Sequence, residues 1–596
     1  MEISLIILIG FLVALWVGFL FIIKGVQFAF QEWEDATHMI NSAAKAGAWR
    51  WPYQMHYPLG GPRATYMKDM TMLLLVLFQR IFRDKKNVFP LLALQGFMNV
   101  SSAFLIFLIA GAYWSLPVAW IITILFIASF WPWQIALNMG HVIIANFFFL
   151  LAVYATILSG GATGLMSLTW ILLSGCFFAA LFFSSSSCSK YFPLFFATLI
   201  FARNRMVLEN NNWSSLFSVF SIHKHLVANI AVASIIIGIV LAIKFSYRKI
   251  ITLMYENRLP AILKFMMKIL HRDMSGKKDF SLSHYRDYAK SQLNRYGTWL
   301  WRNYILLFVV INFTGIAYLV SFLVGFIIIL IPLTLPNIKK SLSFYWCYVR
   351  ETHLRGKNGF RSWAEYFAER GIYVDRYTRS GFMWIPKVFF RIAPFITIIF
   401  FLSFTYLVID NLIMARYQSV LAALLVALTA LLPIIWGEIT KSNSTLRSWF
   451  SGFVGILVFI GYSLNIAHQS YPDVFLKIAL PILAAYVVWN IYNFFTDILP
   501  SRLTINKLIA TLDKLKIKEF YTYNIGYNNM LIDVLRPHIR NRYNIKYING
   551  LNEVKNGWVV IPAMCGKTCI APGDMTPGYD FAKDPILNNL LSTKKI

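Results

Sequence analysis

"ISLIILIGFLVALWVGFLFII", residues 3–23, carries no charged side chain and reaches the length of about 20 apolar residues that a helix needs to cross a bilayer. Residues 34–62, "EDATHMINSAAKAGAWRWPYQMHYPLGGP", are of the opposite character, with two adjacent carboxylates, histidines, aromatics and a Pro-Leu-Gly-Gly-Pro turn. The alternation of apolar run and polar loop recurs. Further runs lie near 90–112, 117–137, 142–158, 164–183, 191–202, 226–244, 303–334, 394–414, 418–436, 450–467 and 473–498. They make about twelve spans, with 191–202 short and 303–334 long enough for a hairpin. The fold expected is an all-α polytopic membrane protein.

Composition points the same way. The 596 residues are 58% hydrophobic and 14% charged, with a mean hydropathy of +0.60. A soluble chain could not bury that much apolar surface. The formal charge of +29 sits in basic stretches between the apolar runs, as the positive-inside rule and anionic headgroups produce. No zinc-finger spacing, recognition-helix pattern or RNA-binding signature accompanies it, which excludes nucleic acid as the partner and leaves membrane lipids. The first run lacks a basic flank and a small-residue cleavage site, and reads as a retained helix.

Of the five cysteines, Cys176 and Cys188 lie in or beside apolar runs and Cys347 stands alone. Cys565 and Cys569 sit in "CGKTC", but a phosphate loop would need glycine where Ile561 stands. One Cys-x3-Cys pair supplies too few ligands for structural zinc. A disulfide and two free thiols both stay open.

Four regions follow from these patterns. Residues 1–245 hold the first spans, with a long loop at 24–88. Residues 246–302 are basic and amphipathic, with "LPAILKFMMKIL" at helical spacing as for a membrane-surface helix. Residues 303–499 are again spanning, around a basic loop at 335–393. From 500 to 596 a small soluble α/β domain is expected: strands at "KEFYTYN", "YNIKYING" and "GWVVIPA", and a helix at "YNNMLIDVLRPHIR". No glycine-rich nucleotide fingerprint follows its first strand. With the N-terminus inside, the first loop lies outside and Arg203 and Arg205 fall inside after the sixth span. A single span at 226–244 would then put the basic 246–302 tract outside, and parity alone does not resolve its side.

Within the first loop, "DATHMINSAAKAG" has the marks of a helix. Asp35 can cap its start and Gly47 can end it. His38 would lie one turn from both Glu34 and Asp35. Trp49, Trp51, Tyr53 and Tyr57, with Arg50 and His56, form an interfacial belt. "YPLGGP" is a turn, after which "TYMKDMTMLLLVLFQRIF" returns as an amphipathic surface helix. Charged and aromatic residues are ordinary where a helix leaves the bilayer. An acid beside cations at a membrane surface also suits chemistry on a lipid-linked phosphate, with the acid deprotonating a hydroxyl and the cations neutralising the phosphate.

This arrangement resembles the GT-C superfamily of membrane glycosyltransferases, which includes protein O-mannosyltransferases, aminoarabinose transferases and oligosaccharyltransferases. Glu34-Asp35 and the following helix, glycine and Tyr-Pro stretch look like the family's first external loop. Lys190 in "SSSSCSKYFP" matches a lysine that members carry beyond the fifth span. The order of segments over 3–203 is similar to the family's module of seven spans. The second external loop departs from the pattern: "WPWQIALNMGHVI" offers Asn138 and His141 but no carboxylate. No Trp-Trp-Asp acceptor motif is present, which argues for single-sugar transfer.

The resemblance implies inverting transfer from a polyprenyl-phosphate sugar to a hydroxyl of a glycan, lipid or protein acceptor. Asp35 would be the general base, with Glu34 as its fallback. Lys190, Arg50 and Arg63 would bind the donor phosphate, and His38, His56, Tyr57, Asn138 and His141 would orient substrate. No metal ligand set or cofactor is expected, since basic side chains alone can stabilise a monophosphate leaving group; a divalent cation stays open. The implied location is a bacterial cytoplasmic membrane, with the site on the periplasmic face. Two rivals stand beside this reading. A lipid-linked-sugar flippase would need buried ionisable residues or inverted repeats that the spans do not show, Asp410 sitting near a segment end. A polysaccharide polymerase or ligase would centre on a late loop with paired arginines, which 335–393 supplies (Arg350, Arg355, Arg361, Arg370, Arg376, Arg379).

Overall fold

The computed structural model describes residues 2–24, 54–56, 62–64, 69–84, 89–130, 132–133, 136, 140–184, 230–231, 233–235, 316–334, 394–413, 445–498, 513–514, 516–523, 543–548, 558–559 and 594–595. The first helix, α1 (Glu2–Lys24), has no proline and no charge between its ends. Leu8, Leu12, Phe19 and Ile23 make one buried stripe along it, while Ile3, Ile6, Val13 and Phe21 are exposed. A short antiparallel hairpin, β1 (Gln54–His56) and β2 (Pro62–Ala64), stands within the long first loop. Next comes α2 (Asp69–Ile81), whose Leu75, Val76 and Phe78 are buried while Arg80 and Ile81 are exposed. This amphipathic split is the one its sequence predicts.

The bundle continues with α3 (Phe89–Tyr113), α4 (Leu116–Ile127), α5 (Gly140–Gly161) and α6 (Gly164–Phe182). Pro90 and Pro117 stand in the first turns of α3 and α4, where a missing N–H leaves no helical bond unmade. Later in the chain come α7 (Ile316–Thr334), α8 (Pro394–Ile413), α9 (Thr445–Ser470) and α10 (Pro472–Asn493), which continues as a π turn over Phe494–Ile498. Helix α3 packs on α1, α2, α4 and α5; α6 packs on α5 and α7; α9 packs on α4, α8 and α10.

Six of the described helices are long and apolar enough to cross a membrane, and three shorter ones are apolar. Only 22% of the apolar window is buried in α1 and in α10. So much outward-facing hydrocarbon suits lipid as the surrounding solvent. Expected spans near 3–23, 90–112, 142–158, 164–183, 394–414, 450–467 and 473–498 coincide with described helices. Those at 191–202 and 418–436 lie outside the described residues, and 226–244 is represented by 230–231 and 233–235 alone. From 303–334, one helix over Ile316–Thr334 is described.

The run 117–137 is not one continuous helix. Helix α4 ends at Ile127, and helical geometry reappears at 130, 132–133 and 136. Pro132 accounts for the break: in a continuous helix it could not donate to the carbonyl of Ala128, four residues earlier, and its ring would press on it, and Ala128 is where α4 stops. The freed Ile127 carbonyl accepts the indole N–H of Trp133 at 2.7 Å.

Helices α6 and α7 cross at two glycines. A Cβ on Gly175 would stand 2.1 Å from the Phe322 carbonyl oxygen, and one on Gly325 would stand 1.9 Å from that of Leu172. Backbones can approach so closely only where neither residue has a side chain. Hydroxyls bind the α5–α6–α7 seam: Thr156 Oγ1 and Ser174 Oγ are 2.7 Å apart, and Ser167 Oγ lies 2.5 Å from Tyr318 Oη.

Near the C-terminus, β3 (Glu519–Tyr523), β4 (Asn544–Ile548), β5 (Trp558–Val559) and β6 (Lys594–Lys595) form a sheet in the order β4-β3-β5-β6. The three strands expected from sequence are among them. Strands β3 and β4 pair in parallel, Phe520 beside Ile545. The expected helix at 527–540 lies in the chain between them, outside the described residues.

Candidate functional site at the loop end of the bundle

The end of the bundle where α1 finishes gathers the described borders of the segments singled out in the sequence. Phe19, one turn before that end, lies under Trp133 with ring centroids 4.9 Å apart and closes against Gly96 of α3. The start of the "WPWQ" stretch is thereby packed beside the exit of the first span. Across the same end, α2 bridges two elements. At its start the Met70 N–H donates to the Phe183 carbonyl at 3.2 Å, and the Thr71 hydroxyl donates to that of Ser184 at 3.2 Å. At its other end Phe82 meets Phe89, the first residue of α3, with centroids 5.0 Å apart. The close of the first loop is therefore joined to the two residues that follow α6, the second of them six residues before Lys190 in the chain.

Of the residues singled out, Glu34, Asp35, His38, Arg50, Tyr57, Asn138 and Lys190 lie outside the described residues. His56 and Arg63 belong to the β1–β2 hairpin, where His56 pairs with Pro62 and Met55 with Arg63. Residues 57–61 of the expected "YPLGGP" turn, between these two strands, lie outside the described residues. His141 is the second residue of α5. Asp410 stands in the last turn of α8. Among the described residues, no group of three or more His, Cys, Asp or Glu side chains could hold a metal ion.

The structure adds residues that the sequence reading passed over. Helices α3 and α5 both start at the loop end and pack on each other. Their interiors hold three buried amides: Gln95 and Asn99, one turn apart on α3, and Asn146 on α5. Gln95 Oε1 and both polar atoms of Asn99 and of Asn146 are enclosed without a hydrogen-bond partner among the described residues. Ordinarily a buried amide is paired. A signal was available in the sequence, because amides inside otherwise apolar spans are costly unless they serve something.

A second set of amides holds the short α4 in place from the far end of the chain. Asn465 Oδ1 accepts the Ser115 N–H at 3.1 Å, at the start of α4. Tyr486 donates its hydroxyl to the Leu125 carbonyl at 2.8 Å, and Asn490 Oδ1 accepts the Phe130 N–H at 3.0 Å. These bonds satisfy backbone groups that a helix end leaves open. The α9 bond holds the start of α4, and the two α10 bonds tie its other end and the entry of the "WPWQ" stretch.

The fold so described is that of a polytopic membrane protein with a polar, aromatic loop end. No family model matches the chain, and no curated protein matches it in sequence. Among solved structures it is similar to the archaeal oligosaccharyltransferase AglB from Archaeoglobus fulgidus, in complex with an inhibitory peptide and a dolichol-phosphate. Identity is 11% and the TM-score is 0.38, over 81% of this chain and 55% of that one. The chain spans about half the length of that structure. At this score the likeness decides neither fold nor chemistry.

Proposed function

We propose that the chain is a membrane glycosyltransferase that moves one sugar from a polyprenyl-phosphate donor to an acceptor hydroxyl at the loop end of the bundle. The observation that supports this most directly is the junction of α2 with the end of α6. The loop bearing Glu34 and Asp35 closes there, where the chain leads on to Lys190. An acid and a cation separated by about 155 residues in sequence come from segments tied by two hydrogen bonds at one end of one bundle.

In this reading Asp35 takes the proton of the acceptor hydroxyl as its oxygen attacks the anomeric carbon. The bond from that carbon to the phosphate oxygen breaks, and its electron pair leaves on the polyprenyl phosphate. Lys190, with Arg50 and Arg63, neutralises the leaving group. Attack from the face opposite the phosphate inverts the anomeric configuration. Glu34 can stand in as base, and His38, His56, Tyr57, Asn138 and His141 orient the substrates.

The test is transfer of radiolabelled sugar from a total lipid extract by the purified chain in nanodiscs. Asp35→Asn should reduce transfer by at least about 100-fold, the range of a lost general base, with unchanged expression and melting temperature. Full activity in that variant removes the base assignment. Reconstituted vesicles that translocate labelled lipid without forming a glycosidic bond would replace the transferase with the flippase.

A further inference from the structure

We infer that Gln95, Asn99 and Asn146 form a neutral hydrogen-bonding subsite for the hydroxyls of the transferred sugar, so that these three residues set sugar specificity. The inference rests on the transferase reading above. Asn99 and Asn146 are fully buried and Gln95 is 2% exposed, and five of their polar atoms have no hydrogen-bond partner among the described residues. Each such atom costs about 1–3 kcal/mol where water cannot reach it, and hydrocarbon surroundings offer no relief. Leucine in the same places would pack without that cost. Three amides kept here need a ligand that both donates and accepts hydrogen bonds.

Position narrows the ligand's chemistry. Gln95 lies about 9 Å below the start of α3 and Asn146 about 9 Å below the start of α5, with Asn99 one turn deeper, taking 1.5 Å per residue. The amides thus stand under the loop end, on two helices that pack together. Neither helix carries Asp, Glu, Lys or Arg, so the depth at which the amides stand offers no permanent cation to balance a phosphate. Neutral amides carrying donors and acceptors suit a neutral polyol. Sugar hydroxyls both donate and accept hydrogen bonds, as amides do. A sugar read here would extend from a phosphate held nearer the loops.

The full-length chain in nanodiscs is titrated with a short-chain isoprenyl phosphate, and with the same lipid bearing one hexose or pentose from a panel. Wild type should bind at least one sugar-bearing lipid more tightly than the bare phosphate. Asn99→Leu and Asn146→Leu should bind the bare phosphate as wild type does, lose about tenfold in affinity for the preferred sugar-bearing lipid, and melt at the same or a higher temperature. Asn99→Ala, Asn146→Ala and Gln95→Met give the same readout should a leucine variant not fold. An unchanged sugar preference in these variants overturns the subsite. So does a lowered melting temperature with that preference intact, which would make the amides a structural water site. Equal wild-type affinity for the bare and sugar-bearing lipids overturns the subsite alone, whereas binding of neither overturns the transferase reading with it.

Discussion

Asn490 shows how one side chain far along the sequence governs a helix end. Its carbonyl oxygen accepts the Phe130 N–H while its amide nitrogen donates to the Tyr486 carbonyl at 2.8 Å. At 3% exposure neither bond is replaced by water when it is lost. Asn490→Leu should lower stability by about 1–3 kcal/mol, the cost of a stranded buried N–H, measured as the shift in reversible unfolding in mixed micelles. The same variant should loosen the "WPWQ" entry, which proteolysis near Trp131 would report. Nothing in the local sequence of Asn490 distinguishes it from any amide in an apolar run. Asp35 and Lys190 are the reverse case, because their significance came from their neighbours along the chain and from family resemblance.

At the scale of elements, hydropathy marked the helices and steric detail placed their ends and crossings. The 117–137 run was apolar enough for one span, but Pro132 ended α4 early and Trp133 closed it. The α6–α7 crossing depends on Gly175 and Gly325. Gly325→Leu should drive the two helices apart, since its side chain would have to occupy the Leu172 backbone. Cys176 Sγ lies 3.2 Å from the Gly325 carbonyl at this contact. Maleimide labelling of Cys176 should therefore rise several-fold in Gly325→Leu, with the other four cysteines replaced by serine. In the C-terminal sheet, Glu519 on β3 holds Lys546 on β4 at 2.6 Å and accepts from Asn544 at 2.8 Å. The hydrogen bond from Lys546 first, then that from Asn544 and the lysine's charge, lower the Glu519 pKa. A depressed folded-state pKa stabilises the sheet above the unfolded-state value and loses that contribution as pH falls through the folded-state value. Glu519→Gln should flatten that acid limb slightly, as an exposed pair allows, followed by amide exchange of β3 between pH 3 and 6.

For the whole molecule, the decisive contrast is between buried and lipid-facing hydrocarbon. Leu12 and Val13 are neighbours in sequence, yet Leu12 is buried on α3 and Val13 is 53% exposed. Hydropathy treats them alike because both are apolar and the bilayer is as apolar as the protein interior. Val13→Lys should impair insertion of α1, with a cost of about 2.5–3.5 kcal/mol for lysine near a helix centre. Alkaline carbonate extraction of membranes expressing the variant would show the released fraction.

The sequence by itself determined that this chain belongs in a membrane, where most described helices run, and that strands gather near its C-terminus. Those properties are sums over many residues, and length and apolarity suffice for them. It also supplied the candidate loop chemistry, through a short pattern of acid, aromatics and turn. Only the tertiary structure decided which segments meet. The first loop closes on the end of α6, Phe19 lies under Trp133, α9 and α10 cap α4, and three amides of α3 and α5 stand enclosed with polar atoms unpartnered among the described residues. These are pairings across up to 361 residues, and a local pattern carries no record of which distant backbone group a side chain will satisfy.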